Sequence, residues 1–211
     1  MTETMPEITK IDWTPSALRQ AGIMESDFST GTLSIREVAG ASFVRMHSLT
    51  DLAREASTRI DLPQGTGQCT GGHPAILCLR PREWLFFSET TGPGDLLHHV
   101  IGTVDPTQTA VWNQSDALAV FRLSGNASAW LLSKLSGLDF LAGASYGPHC
   151  ASTRMGQAAV IVHYHQAEGE EFVFDLILDR SLAPYLWDLL RESAPHADEL
   201  HANFGYAGAI P

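Results

Sequence analysis

Apolar and polar positions along the chain fall into two successive rounds of the same order. Residues 1–32 lean polar and are broken by Pro6, Pro15, Gly22 and Gly31, so they read as an arm ahead of the patterned region. From Leu33 the pattern begins. Ala41 to His47 predicts a short strand, and Leu49, Leu52, Ala53, Ala56 and Ile60 recur at helical spacing behind Ser48 and Asp51, a cap-like pair. A Gly/Thr/Gln loop spans Pro63 to Pro74, and two strands, Ala75 to Leu79 and Glu83 to Ser88, hinge at Pro81. Pro93 opens a helix with Leu96, Leu97, Val100 and Ile101 apolar and Gly102 at its end, and Thr109 to Trp112 predicts a further strand.

The second round starts with a strand over Ala117 to Leu123 and a helix that Ser124 is placed to cap, with Ala127, Leu131, Leu132 and Leu135 apolar and Gly137 closing it. After a loop over Ala142 to Pro148 come the two clearest strands, Ala158 to Tyr164 and Phe172 to Leu178, joined by a polar turn at Gln166 to Glu170. In the last of these Phe172, Phe174, Leu176 and Leu178 share one face by the period-2 geometry of a strand. A final helix starts near Ser181, tolerates Pro184 in its first turn, and carries Leu182, Tyr185, Leu186, Leu189 and Leu190 on one stripe. The expected fold is α+β: two ferredoxin-like strand-helix-strand-strand-helix rounds forming one pseudo-twofold domain over residues 33–193. Its halves span about 33–114 and 115–193, with an N-terminal arm over 1–32 and a C-terminal tail over 194–211.

Composition adds limits. Of 211 residues, 44% are apolar and 18% charged, enough to bury a core and inconsistent with global disorder. The net charge of −11 repels phosphate backbones, and no Lys/Arg cluster overrides it, so nucleic acid is not an expected partner. No apolar run approaches the ~18 residues that a membrane span needs, and Met1 to Lys10 lacks the apolar region of a secretory signal. Three cysteines, Cys69, Cys78 and Cys150, suit free thiols in a reducing compartment, and the cytoplasm is the expected location.

Most templates of catalytic chemistry fail on a named residue. The Gly-rich loop from Gln64 to Gly72 has Thr70 where a dinucleotide fingerprint needs glycine, and His73-Pro74 follows where a phosphate loop needs Lys-Ser/Thr; a flexible surface loop is the simpler reading. Cys69, His73, Cys78 and the pair His149-Cys150 lack the spacing of a zinc site, and His98-His99 point apart on a helix. A nucleophile elbow at Ser124 fails because Arg122 stands at its first glycine position. His149 and Cys150 are sequence neighbours and so poorly placed to form a catalytic pair. His163 and His165 share one face of a strand, as in some zinc sites, but a pair of exposed imidazoles at a strand end is the expected alternative. Glu168, Glu170 and Glu171 read as a solvated turn. Asp175 lies opposite the Phe/Leu face of its strand and is expected to face solvent, with a buried ion pair as the other reading. Trp84, Trp112, Trp130 and Trp187 fall within predicted elements, where core packing is the first reading and an exposed interface patch the second.

Five segments in order carry a family resemblance: Leu79-Arg80-Pro81-Arg82-Glu83-Trp84-Leu85, Ala119-Val120-Phe121-Arg122-Leu123-Ser124-Gly125, Leu138-Asp139, Thr153-Arg154-Met155-Gly156, and the run from Asp179-Arg180-Ser181 to Tyr185-Leu186-Trp187. On these segments the chain resembles the gamma subunit of heterotetrameric sarcosine oxidase, and the resemblance covers about Leu33 to Arg191. The resemblance implies a small accessory subunit bound to a large alpha subunit, with beta and delta chains in the same complex. It implies no catalytic residue and no cofactor on this chain, with FAD, FMN, NAD and tetrahydrofolate held by partner subunits. The assembly of that family oxidatively demethylates sarcosine to glycine, and its gamma fold is similar to the folate-binding domain of aminomethyltransferases.

Arg80 and Arg82 depart from the small or acidic residues expected around the Pro-x-Glu-Trp segment, and with Trp84, Phe204 and Tyr206 they are candidates for an interface. Two other readings stay open. A stand-alone folate- or one-carbon-binding protein would hold a pterin through a buried carboxylate, for which Asp175 and Glu83 are the candidates; a small metal-dependent enzyme would use His163 and His165.

Overall fold

A computed structural model of the protein describes residues 15–50, 52, 60–140, 149–165 and 173–204. Among the described residues, ten strands form two antiparallel sheets. The smaller is built from β3 (Ser42–Ser48), β4 (Ala75–Arg80), β5 (Glu83–Ser88) and β6 (Thr109–Asn113) in the order β4-β5-β3-β6. That is the ferredoxin-like arrangement, with the first strand of the round lying between its third and fourth. The larger sheet runs β1 (Asp27–Ser29), β2 (Ser34–Glu37), β7 (Leu118–Ser124), β10 (Val173–Asp179), β9 (Ala158–His165), β8 (His149–Met155). Its β7-β10-β9 core repeats the β3-β5-β4 relation of the smaller sheet, so the duplicated order predicted from periodicity is present in space.

The second round does not supply its own fourth strand. The place beside β7 that corresponds to β6 beside β3 is taken by β2, from the N-terminal stretch. β2, which falls within the expected 33–114 half, thus pairs with a strand of the later one. Residues 15–32 are part of the packed structure as well. Helix α1 (Ala17–Gln20) buries Ala17 and Leu18, and β1 pairs with β2. Glu37 fixes this stretch, its carboxylate accepting from the Ala17 N–H at 2.6 Å and from the Ser16 hydroxyl at 2.5 Å, where a negative charge suits the open N–H groups of a helix start. Strands of three and four residues that contain Asp27, Arg36 and Glu37 are too short and too polar to show a period.

Four layers result. Helices α1, α3 (Ser128–Leu135) and α4 (Ala183–Phe204) cover one face of the larger sheet through Phe121, Leu176, Leu186, Trp187 and Leu190. The opposite face meets the smaller sheet through Val120, Cys150 and Ile177 against Phe43, Leu77, Leu85 and Phe87. The far face of the smaller sheet packs Val44, Met46, Trp84 and Phe86 beneath Leu96 and Val100 of α2 (Pro93–Ile101). β4 and β5 are buried on both faces, which is why they read as unbroken apolar runs. The helix expected across residues 49–60 falls largely outside the described residues.

Two helix ends differ from the sequence reading. Ser124 does not cap α3; it is the last residue of β7, Gly125 turns the chain at φ 104°, and Ala127 occupies the cap position. The last helix does not stop at residue 193 but runs through Pro195 to Phe204, because Ala194 and Ala197 continue the buried stripe of Leu190 past the proline. Among the described residues no helix is long and apolar enough to cross a membrane.

Candidate functional site

Three strands of the larger sheet bring one polar cluster into the space between the sheets. Arg122 on β7 and His163 on β9 are the register partners of Asp175 on the intervening β10, so all three side chains leave the sheet on the same side. That side faces the smaller sheet rather than water. The expectation of a solvent-facing Asp175 is overturned: its exposure is 0%, because a second sheet covers the face that the Phe/Leu set leaves free.

Arg122 grips the carboxylate with two bonds, Nε to Oδ1 at 2.7 Å and Nη2 to Oδ2 at 2.9 Å, and the same Nη2 reaches Glu89 Oε1 at 2.6 Å. His165 contacts Oδ2 through Nε2. Nδ1 of the buried His163 stands 3.7 Å from Oδ2, beyond hydrogen-bond length, and has no hydrogen-bond partner among the described residues. The two imidazoles lie 4.1 Å apart between centroids, and the edge of His163 meets Phe87 of the facing sheet.

Burial alone would raise the pKa of Asp175, but its contacts with His163, His165 and Arg122 outweigh burial and hold it well below the usual carboxylate range. Burial likewise works against the Arg122 charge, yet Asp175 and Glu89 overcome it and push the guanidinium pKa upward. For His163 burial dominates and lowers the pKa, so the ring is neutral at pH 7 despite the neighbouring carboxylate.

The Gly-rich loop forms the outer wall of this cluster. It is tied down instead of lying free: Gly67 N–H donates to Cys78 O at 2.8 Å, Cys150 N–H to Gly67 O at 2.7 Å, and Thr70 N–H to Ile76 O at 3.0 Å. The loop thereby bridges β4 and β8, one strand from each sheet. Thr70, Gly72 and His73 from the loop, with Phe87, His163 and His165, enclose a pocket of about 250 Å³.

The remaining sequence candidates scatter. Glu83, offered with Asp175 as a pterin-holding carboxylate, pairs with Arg45 at 3.5 Å. It lies four residues from Phe87 along β5, about 13 Å at 3.3 Å per residue, so the two acids do not make one site. Trp84 is 1% exposed and donates Nε1–H to Pro63 O at 2.9 Å, which places it in the core and removes it as an interface residue. Arg80 and Arg82 sit at the β4–β5 hairpin, where Arg82 donates to its own chain at Leu49 O, 2.7 Å away. Phe204 is exposed but leans on Trp130 of α3, with centroids 6.3 Å apart; Tyr206, Glu168, Glu170 and Glu171 lie outside the described residues.

The cysteines are free thiols, Cys78 and Cys150 buried and Cys69 half-buried. Desolvation pushes Cys69 up to about 11 and Cys150 to about 12, the wrong direction for a nucleophile. His149 and Cys150 point to opposite sides of β8, the imidazole against Tyr164 and the thiol towards Cys78 O at 3.7 Å. Sequence reasoning did not gather Arg122 and Glu89 into the site. A usable signal existed for Arg122: like Asp175, it is a charge flanked by apolar residues inside a strand.

No protein-family model matches the chain, and no curated protein matches it. Solved structures share its fold. One chain of the heterotetrameric sarcosine oxidase from Corynebacterium sp. U-96, solved in complex with pyrrole 2-carboxylate, superposes with a TM-score of 0.70 at 21% identity, covering 94% of this chain and 98% of that one. The glycine cleavage system aminomethyltransferase T from Bartonella henselae gives a TM-score of 0.54 at 9% identity over 82% of this chain. The match spans 48% of that enzyme's chain, so this protein corresponds to about half of it.

Proposed function

We propose that this chain is a non-catalytic accessory subunit, of the gamma type, in a heterotetrameric sarcosine oxidase that oxidatively demethylates sarcosine to glycine. The observation that carries the reading is the near end-to-end match, 94% of one chain and 98% of the other, with a chain of that complex. A catalytic domain shared with a larger enzyme would match only part of its relative, as the aminomethyltransferase does. The five sequence segments that resemble the gamma family point the same way, and several have structural work: Tyr185 accepts the Gln157 N–H at 3.1 Å beside Gly156, and Arg180 donates to Gln20 and Pro15.

The partner in this reading is the alpha subunit, with beta and delta in the complex, and FAD, FMN, NAD and tetrahydrofolate are held by those chains. Its surface suits such a contact at the outer edge of β6. Trp112 is 39% exposed there, with Leu49 at 65% beside the start of the strand, and an apolar edge that no described strand pairs is a liability for a protein that stays alone. Folate binding by the isolated chain has less support. A pocket of about 250 Å³ lies below the usual ligand range of roughly 300–1,000 Å³.

Purified alone, the chain is expected to show no flavin absorption, no turnover of sarcosine, and no saturable quenching of its tryptophan fluorescence by a reduced folate. Sarcosine oxidation by the isolated chain would sink the reading.

A further inference from the structure

The polar cluster between the sheets has the makings of a metal site. His163 and His165 are two residues apart on β9, Asp175 is on the adjacent β10, and one ligand atom from each lies within 4.8 Å of the other two. We propose that His163, His165 and Asp175 bind a divalent transition ion, zinc foremost, whose open coordination positions face the pocket beneath residues 70–73.

Two imidazoles with one carboxylate form a borderline donor set suited to zinc and to iron or cobalt in the divalent state. A tetrahedral ion with bonds of about 2.0–2.2 Å holds its ligand atoms about 3.3–3.6 Å apart. The separation of 3.7 Å between His163 Nδ1 and Asp175 Oδ2 is close to that span, whereas His165 Nε2 is in direct contact with Oδ2 and has to draw back, from its half-exposed place at the strand end, to admit the ion. Nδ1 of His163 is the most direct pointer. It is buried, aimed at the carboxylate, and without a hydrogen-bond partner among the described residues, a desolvation cost that a metal bond relieves.

Arg122 is the main objection, since a guanidinium opposes a nearby cation. The geometry answers it. Glu89 pairs with Arg122 at 2.6 Å, so these two charges cancel and the ion meets the net negative charge of Asp175. Nε of Arg122 holds Oδ1, while Nη2 already bonds Glu89 and can release Oδ2 to the ion. Arg122 then orients the carboxylate as hydrogen-bonding partners commonly do behind metal ligands. The remaining coordination positions open toward His73 and Thr70, where a water or a small anion fits. All of these residues belong to this chain, so the site does not depend on the subunit role.

The test is titration of the full-length, untagged chain with Co²⁺ followed by ligand-field absorption, and with Zn²⁺ in competition with a chromophoric chelator. One equivalent should bind with saturable spectral change, and His165→Gln should weaken it about tenfold or more. His165 is part-exposed at a strand end, so this variant leaves the core intact, and His99→Gln on α2 should bind as the parent does. NMR of the unaltered chain supplies a readout that needs no variant: Co²⁺ should shift the imidazole protons of His163 and His165 before those of any other histidine. Absence of saturable binding, equal binding by His165→Gln, or shifts confined to other histidines would overturn the proposal.

Discussion

Arg122 and Asp175 face each other across β7 and β10 as a two-pronged ion pair, 2.7 Å and 2.9 Å long, with the carboxylate wholly buried. Cutting one side of such a pair leaves the other charge unpaired in a poorly solvated place. Arg122→Met should therefore lower unfolding free energy by about 3–5 kcal/mol, and adding Asp175→Leu should restore much of it. Urea denaturation of both variants measures this; an additive loss in the double variant would show that the ion pair is not the reason.

Stability should fall with acid in two stages. His163 has a depressed pKa in the folded chain, so below its unfolded value near 6.5 the unfolded state binds the extra proton and gains. The slope is about 1.4 kcal/mol per pH unit until the folded pKa is reached. Asp175 is depressed as well, and its contribution stays complete above an unfolded pKa of about 3.9 and drains away below it. Urea midpoints measured with chelator from pH 8 to 5 should decline on the acid side, and His163→Asn should flatten that decline. An unchanged slope would contradict the burial of a neutral ring.

The turn after β7 should be intolerant of side chains. Gly125 has φ 104°, and a Cβ there would lie 2.4 Å from the Thr32 carbonyl oxygen, part of the backbone and unable to step aside. Gly125→Ala should destabilise by about 1–3 kcal/mol, read from thermal or urea unfolding. Gly31, by comparison, has open space around it and should accept alanine with little change.

Thiol chemistry should be slow. With Cys69 at about 11 and Cys150 at about 12, little thiolate is present near pH 8, and Cys150 is buried as well. Alkylation by iodoacetamide should proceed far more slowly in the folded chain than in denaturant. Rapid labelling of Cys150 in native buffer would mean that the loop at residues 67–69 opens readily.

Much of the architecture was legible because burial leaves periodic marks. The runs Ala75 to Leu79 and Trp84 to Phe87, and the alternating Phe174, Leu176 and Leu178, identified strands of both sheets. Strands β1 and β2 were not legible, since three or four residues with Arg36 and Glu37 among them carry no period, and their place beside β7 is fixed by tertiary pairing. The polar cluster was half visible. His163 with His165, and Asp175 by itself, stood out as residue types, but what joins them is strand register, with Asp175 opposite both Arg122 and His163. Its burial follows from sheet-on-sheet packing, which alternation in one strand does not encode. The trace of Trp84 was ambiguous for a related reason: core and interface tryptophans have the same sequence surroundings.

The subunit reading is tested most directly by co-expressing the untagged chain with sarcosine oxidase alpha, beta and delta chains from the same source and purifying through a tag on alpha. The account predicts a stable complex with this chain present in a one-to-one ratio to alpha, able to oxidise sarcosine. A fully active oxidase assembled from the other three, with this chain left behind in the unbound fraction, would contradict it.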